Sequence, residues 1–171
     1  LLDQNPNKVD DVAAVSAEAL LVGSQVTIYG IMEGYLNRAV SMVMQQMSGL
    51  QTDYYRDYNC DPIDANTNGL WTAMYGTGGL IDLNTTQSVA YEQEKYVLLG
   101  ISQMWEALLF STAADLWGDI PYSQAANSEY AQPDFDSQED VHMAVLDLID
   151  DAIVNFGKGQ DFNLPTEHDF T

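Results

Sequence analysis

Apolar side chains along this chain recur at three- and four-residue intervals and alternate nowhere for long, which is helical spacing rather than strand spacing. The pattern predicts an all-α protein. A first helix, capped by Asp10 or Asp11 after an Asn5-Pro6-Asn7 turn, carries Val12, Val15, Ala19 and Leu20 toward Val22. A second is expected from about Ser24 to Ser48, on a stripe of Ile28, Met32, Tyr35, Leu36, Ala39, Val43 and Met47. Residues 51–68 break the rhythm with Tyr54, Tyr55, Arg56, Tyr58, Cys60, Pro62 and four Asp, so they read as a long loop.

A third helix begins near 66–68 with Leu70, Trp71, Met74 and Tyr75 and is expected to continue through Gly76, Gly78 and Gly79 to Leu83. Each glycine inside a helix costs about 1 kcal/mol relative to alanine, and close approach by a neighbouring helix would offset that cost. Ser88 is read as the cap of the fourth and longest helix. Val97, Ile101, Met104, Trp105 and Leu108 should face inward, with Glu92, Glu94 and Lys95 in the exposed first turns. Gly118 supplies a left-handed stop, and Pro121, lacking an N–H, prevents resumption. Pro133 closes a polar loop. Ser137-Gln138-Glu139-Asp140 then sets a capping hydroxyl three residues before an acid. Val141, Val145, Leu148, Ile149, Ala152 and Phe156 form the last apolar face, Asp147, Asp150 and Asp151 lie off it, and Gly157 is its expected stop.

With 171 residues and 46 % apolar composition the chain can build one core, either a whole domain or a piece of a larger one. Charge narrows the partners. Twenty-six acids against five bases give a net charge of −21, and Lys8, Arg38, Arg56, Lys95 and Lys158 are scattered, which excludes nucleic acid and disfavours anionic membrane surfaces. Cys60 is alone, so neither an intramolecular disulfide nor a multi-cysteine metal site can form. The apolar stretch from Tyr96 to Leu116 is interrupted by Ser102, Gln103, Glu106, Ser111, Thr112 and Asp115, as in a buried helix rather than a membrane span. The first residues show no basic or long apolar leader, so a targeting segment is expected to be removed or outside this sequence.

Candidate chemistry is sparse. Asp64-x-Asn66-x-Asn68-Gly69 matches the opening of a calcium loop, but its twelfth position is Tyr75 instead of Glu, and Asp, Asn and Gly also serve ordinary turns and caps. An irregular calcium site in residues 57–69 stays open. Gly76-Thr77-Gly78-Gly79 lacks the strand and the lysine of a phosphate loop. Cys60 with His142 or His168 carries no local thiol-protease signature, and a lone cysteine is usually inert. Met42, Met44 and Met47 read as core filling. So many acids allow any paired-carboxylate spacing, so that spacing discriminates nothing. The chain carries no cofactor motif, no metal-ligand constellation and no strong catalytic one. More informative are Tyr54, Tyr55 and Tyr58 in a polar segment with Asn59: flat rings with polar edges suit sugar rings, although they could equally pin a loop to the core.

The run Asp115-Leu-Trp-Gly-Asp-Ile-Pro-Tyr-Ser-Gln-Ala125 closely resembles the signature turn of the SusD/RagB family, surface lipoproteins of Bacteroidetes. Leu-Asp-Gln-Asn-Pro-Asn near the start, Trp71-x3-Tyr75, and Asp136-Ser-Gln-Glu-Asp-Val141 with Ile149-Asp-Asp-Ala-Ile153 resemble further family segments. The resemblance implies tetratricopeptide-like antiparallel helix pairs. It also implies non-catalytic capture of glycans or peptides at the outer membrane, above a SusC-like TonB-dependent transporter.

The family's lipidated cysteine and its C-terminal part have no counterpart here, so the chain is read as the N-terminal helical portion, 1–171, of a SusD-like domain, with membrane attachment only through an anchor outside it. The helix before the turn, Ile101-Ser-Gln-Met-Trp-Glu106, lacks the family's usual basic residue. Asp115, Gly118, Asp119, Pro121 and Tyr122 are expected to act structurally. Tyr54, Tyr55, Tyr58 and Asn59 are the candidate ligand contacts. Two alternatives remain: a module that mainly contacts the transporter, and a glycoside hydrolase using two acids.

Overall fold

Ser16, in extended backbone geometry, accepts the Ala19 N–H through its hydroxyl at 3.1 Å and starts α1, Ala17–Ile31. This cap belongs to a computed structural model that describes residues 16–48, 64–76 and 78–159. The proposed caps Asp10 and Asp11 lie outside the described residues. The helix runs unbroken through Ser24, whose side chain is fully buried, so the expected boundary between Val22 and Ser24 does not exist. Gly23 weakens a helix without forbidding it, and the apolar rhythm continues across it.

A π-helical turn over Met32–Leu36, kinked at Gly34 (φ −90°, ψ −119°), joins α1 to a short α2, Asn37–Val43. The wider turn rotates the helical face, so a stripe extrapolated at constant period fails beyond it. Ile28 and Leu36 are buried, but Val43, Met44 and Met47 are exposed, and of the three methionines only Met42 fills the core.

The remaining helices are α3, Asp64–Tyr75, α4, Leu80–Glu92, α5, Tyr96–Trp117, and α6, Gln138–Lys158. Helical backbone begins at Asp64, so residues 64–69 do not form the open loop that a calcium-loop reading requires. Nor does α3 continue through the glycines. It stops at Tyr75, and Gly78, at φ +84°, lies so close to α1 that a Cβ would overlap the Thr27 side chain. Close approach is therefore the role of this glycine, but within a turn. Its N–H is accepted by the Asp82 carboxylate at 2.8 Å.

Ser88 sits inside α4 and donates to the Asn84 carbonyl at 2.9 Å instead of capping α5. The real break follows Glu92. Glu94 adopts φ +55°, its N–H bonds to the Tyr91 carbonyl at 3.1 Å, and the Lys95 N–H bonds to the Ala90 carbonyl at 2.8 Å. These two bonds form a Schellman stop with glutamate where glycine is usual. The end of α2 repeats it, with Gln45 at φ +59° and the Gln46 N–H on the Ser41 carbonyl at 2.9 Å.

Neighbouring helices run antiparallel: α1 against α4, α4 against α5, α5 against α6. Lys95 pairs with Glu18 at 2.6 Å at one end of the α1–α4 contact, and Gly78 meets Thr27 at the other. Along the α5–α6 contact, Gly100 lies against Phe156 and the Ala152 carbonyl. The fold is all-α, with helix pairs of tetratricopeptide-like arrangement and, among the described residues, one isolated β-bridge between Ile120 and Asp136.

By length and composition α5 could cross a membrane, yet it is the central helix of the layered bundle, packed against α4 and α6. Its buried face is Leu98, Leu99, Ser102, Gln103, Glu106, Ala107, Leu109, Phe110, Ala113 and Ala114. Met104 and Leu108, expected inward, are exposed. The larger core cluster joins Ile28, Met74, Leu83, Phe110, Ile120 and Val141, while a second joins Ala17, Leu21, Ala90, Leu98 and Leu99, and Trp105 packs against both. The expected cap of α6 is present, with the Ser137 hydroxyl accepting the Asp140 N–H at 3.2 Å. The helix passes through Gly157 to end at Lys158, before Gly159, which abuts Val97.

Candidate functional site: a closed clasp beside a polar groove

The signature turn is a clasp between two helix ends. Gly118 halts α5 at φ +76°, ψ −117°, a conformation that only glycine enters at low cost, though outside the left-handed helical well expected from sequence. Ile120 and Asp136 then exchange two backbone hydrogen bonds, at 3.1 and 2.9 Å. The Asp136 carboxylate accepts the Tyr122 N–H at 2.8 Å, the Ser123 N–H at 2.8 Å and the Ser123 hydroxyl at 2.7 Å. Asp119 accepts the Gln138 N–H at 3.0 Å, and the Gln138 amide donates to the Ala114 carbonyl at 2.9 Å. Asp119 thus satisfies one of the N–H groups at the start of α6 that lack an intrahelical partner, and Gln138 ties α6 back to a carbonyl near the end of α5. Burial alone would raise the Asp136 carboxyl, but the donors from Ser123 and Tyr122 outweigh it and hold it below its ordinary value.

Aromatic rings lie beneath the clasp. Trp117 meets Trp71 edge-on at 5.2 Å, Trp71 packs on Tyr75 at 4.6 Å, Tyr75 on Phe110 at 5.4 Å, and Phe110 on Tyr122 at 5.0 Å. The Tyr75 hydroxyl donates to the Pro121 carbonyl at 2.7 Å. Tyr122 donates to Glu106 Oε1 at 3.1 Å, and Gln87 donates to Glu106 Oε2 at 2.5 Å. Burial pushes the Glu106 carboxyl up despite those two bonds. It also pushes both tyrosines up, helped by the charge of Asp136 for Tyr75 and of Glu106 for Tyr122.

Chemically the clasp is occupied by itself. Both Glu106 oxygens are engaged and the residue is 7 % exposed, so it is not poised to meet a substrate. Among the described residues no three His, Cys, Asp or Glu side chains converge as a metal site would need. Asp115 lies on the exposed side of the turn, 3.3 Å from His142 Nε2.

A groove of about 440 Å³ opens between α4, α5 and the C-terminal half of α6. A buried amide ladder forms its floor. Asn155 donates to Gln103 Oε1 at 2.9 Å, and Lys158 donates to Asn155 Oδ1 at 3.1 Å, with the Lys158 ammonium 5.3 Å from the centre of the Tyr96 ring. Tyr91, 68 % exposed, forms part of the wall.

Of the residues singled out from sequence, the clasp brings together Gly118, Asp119, Pro121 and Tyr122, with Asp115 beside them. Tyr54, Tyr55, Tyr58 and Asn59, like Cys60 and His168, lie outside the described residues. Sequence reasoning missed Glu106, Gln87, Gln103, Asn155 and Asp136. Polar residues at inward positions of an apolar helix, as at 102, 103 and 106, were the available signal, since buried polar groups are kept only where they are paired.

The fold is thus a layered bundle of antiparallel helices, closed by a self-satisfied turn and carrying an open polar groove. The chain belongs to the SusD-like family described as starch-binding and associating with the outer membrane, whose profile matches residues 6–169. A crystal structure of a SusD/RagB family protein from Bacteroides thetaiotaomicron is similar in fold, with a TM-score of 0.70 at 20 % identity over 88 % of this chain. The match covers 32 % of that protein, so the chain spans about a third of its length. No curated protein matches the chain.

Proposed function

We propose that this chain is the N-terminal helical portion of a non-catalytic nutrient-capture protein, which binds a glycan, or second a peptide, at the cell surface and delivers it to a SusC-like TonB-dependent transporter. Membership of the SusD-like family over residues 6–169 carries this reading. Attachment to the outer membrane is through a lipid anchor.

Ligand contact is assigned to Tyr54, Tyr55, Tyr58 and Asn59, with the rings as stacking platforms and the amide as a hydrogen-bond partner. Calorimetry against a glycan panel tests this. The Tyr54→Ala, Tyr55→Ala double variant should lose binding, and unchanged affinity would remove that segment from the site.

A transporter-contact role is favoured by Met143, Leu146 and Ile153, which leave 55–61 % of their surface exposed on α6. Co-purification with the transporter but no glycan affinity would support that reading over the first.

A further inference from the structure

We propose that the groove between α4, α5 and α6 is a binding subsite for a neutral, polyhydroxylated ring such as one unit of an oligosaccharide, a ligand class that rests on the glycan-capture reading above. The central observation is Gln103. It is 7 % exposed and lines the groove, and its Oε1 is taken by Asn155. Among the described residues its Nε2 has no acceptor, yet it is not sealed from solvent. An amide donor that has no partner among the described residues and still reaches the groove is available to a hydroxyl entering it.

The surroundings are built to hold such a donor still. Lys158 holds Asn155 and Asn155 holds Gln103, so the amide plane is oriented by a chain of hydrogen bonds anchored on α6. Gln87 is fixed in the same way from the other side: its Nε2 is committed to Glu106, which leaves its Oε1 as an acceptor in the groove. Donor and acceptor amides fixed on facing helices suit a hydroxyl, which both donates and accepts.

Leu99 and Val154 supply apolar surface between these polar groups, and the Tyr91 ring is two-thirds exposed at the edge. That combination suits the C–H face of a sugar ring bordered by hydroxyls. Charge points the same way. On a chain of net charge −21, the groove contains one Asp151 and one Lys158, which cancel, so neither an anion nor a cation is preferred. Its volume of about 440 Å³ falls in the range of small-molecule sites.

The test is titration of the ¹⁵N-labelled 171-residue chain with maltotriose, followed through the side-chain amide signals and repeated with Tyr91→Ala and Tyr91→Phe. Tyr91 is exposed, so neither variant threatens folding. The Gln103 and Gln87 side-chain amides should shift in step with saturation. Tyr91→Ala should weaken binding about ten-fold, the loss expected for one aromatic stacking contact, while Tyr91→Phe retains it. Saturable binding with shifts confined to other residues and no effect of Tyr91→Ala would overturn the groove and leave the glycan reading standing. Absence of any maltotriose binding would overturn the groove as a saccharide subsite, while the wider glycan panel judges the reading it rests on.

Discussion

Tyr122 donates its hydroxyl to Glu106 on α5 at 3.1 Å while its backbone N–H is held by Asp136, just before α6, at 2.8 Å. One residue therefore couples the buried polar centre of the longest helix to the entry of the next. Tyr122→Phe keeps the ring against Phe110 but leaves a buried carboxylate with one bond fewer. The variant should lose about 1–2 kcal/mol, seen as a lower urea midpoint with an unchanged slope.

Glu106 makes that coupling depend on pH. Its folded pKa is raised above the ordinary 4.5, by burial first, with Gln87 and Tyr122 opposing in part. A carboxyl raised on folding contributes stability that is complete below the unfolded value and is lost as pH rises through the folded one. Glu106→Gln should therefore match wild type near pH 4 and become the more stable protein as pH rises toward 7. Urea unfolding of both proteins across that span checks the sign, and a wild type that gains on the variant with rising pH would refute it.

Asp136 behaves in the opposite sense. Its folded pKa lies below the ordinary 3.8 because the Ser123 and Tyr122 donors outweigh burial, so its contribution is present above that value and lost as pH falls through the folded pKa. Asp136→Ala removes the acceptor of three hydrogen bonds and should cost about 1.5–3 kcal/mol at neutral pH, less in stronger acid. Thermal melts at pH 7 and pH 2.5 measure the difference.

Glutamate at a left-handed helix stop is a strained choice. At Glu94, φ +55°, a residue with a Cβ pays on the order of 1 kcal/mol that glycine does not. Glu94→Gly should raise the melting temperature, because relief of that strain exceeds the added freedom of the unfolded chain. A fall in melting temperature would show that the Glu94 side chain makes a contribution of its own.

At Gly78 the direction reverses. Positive φ and contact with Thr27 both exclude a Cβ, so Gly78→Ala should destabilise by more than about 2 kcal/mol and loosen α1 from α4. Hydrogen exchange should rise first along α1.

These residues also show what sequence could and could not reveal. The Ser137 cap, the stop at Gly118 and the Val141–Val145–Ala152 face of α6 were legible because each is written within one helix or one turn. The ends of α2 and α4 were not, because Gln45 and Glu94 occupy places where glycine is the usual signal. Glu106 and Gln103 were visible only as polar interruptions of a buried helix, and their roles emerge once α4 and α6 supply Gln87 and Asn155 as partners. Asp136 was hidden for the same reason, since its donors lie thirteen and fourteen residues away. The signature turn was legible as a family mark, whereas its action as a clasp depends on tertiary hydrogen bonds.

The central claim is capture without chemistry, and the most direct measurement follows one sample of the chain with a starch oligosaccharide both for saturable binding and for new reducing ends. The account predicts a saturating calorimetric signal with the oligosaccharide recovered intact after prolonged incubation. Release of shorter sugars that is abolished by a single Asp→Asn change would contradict it.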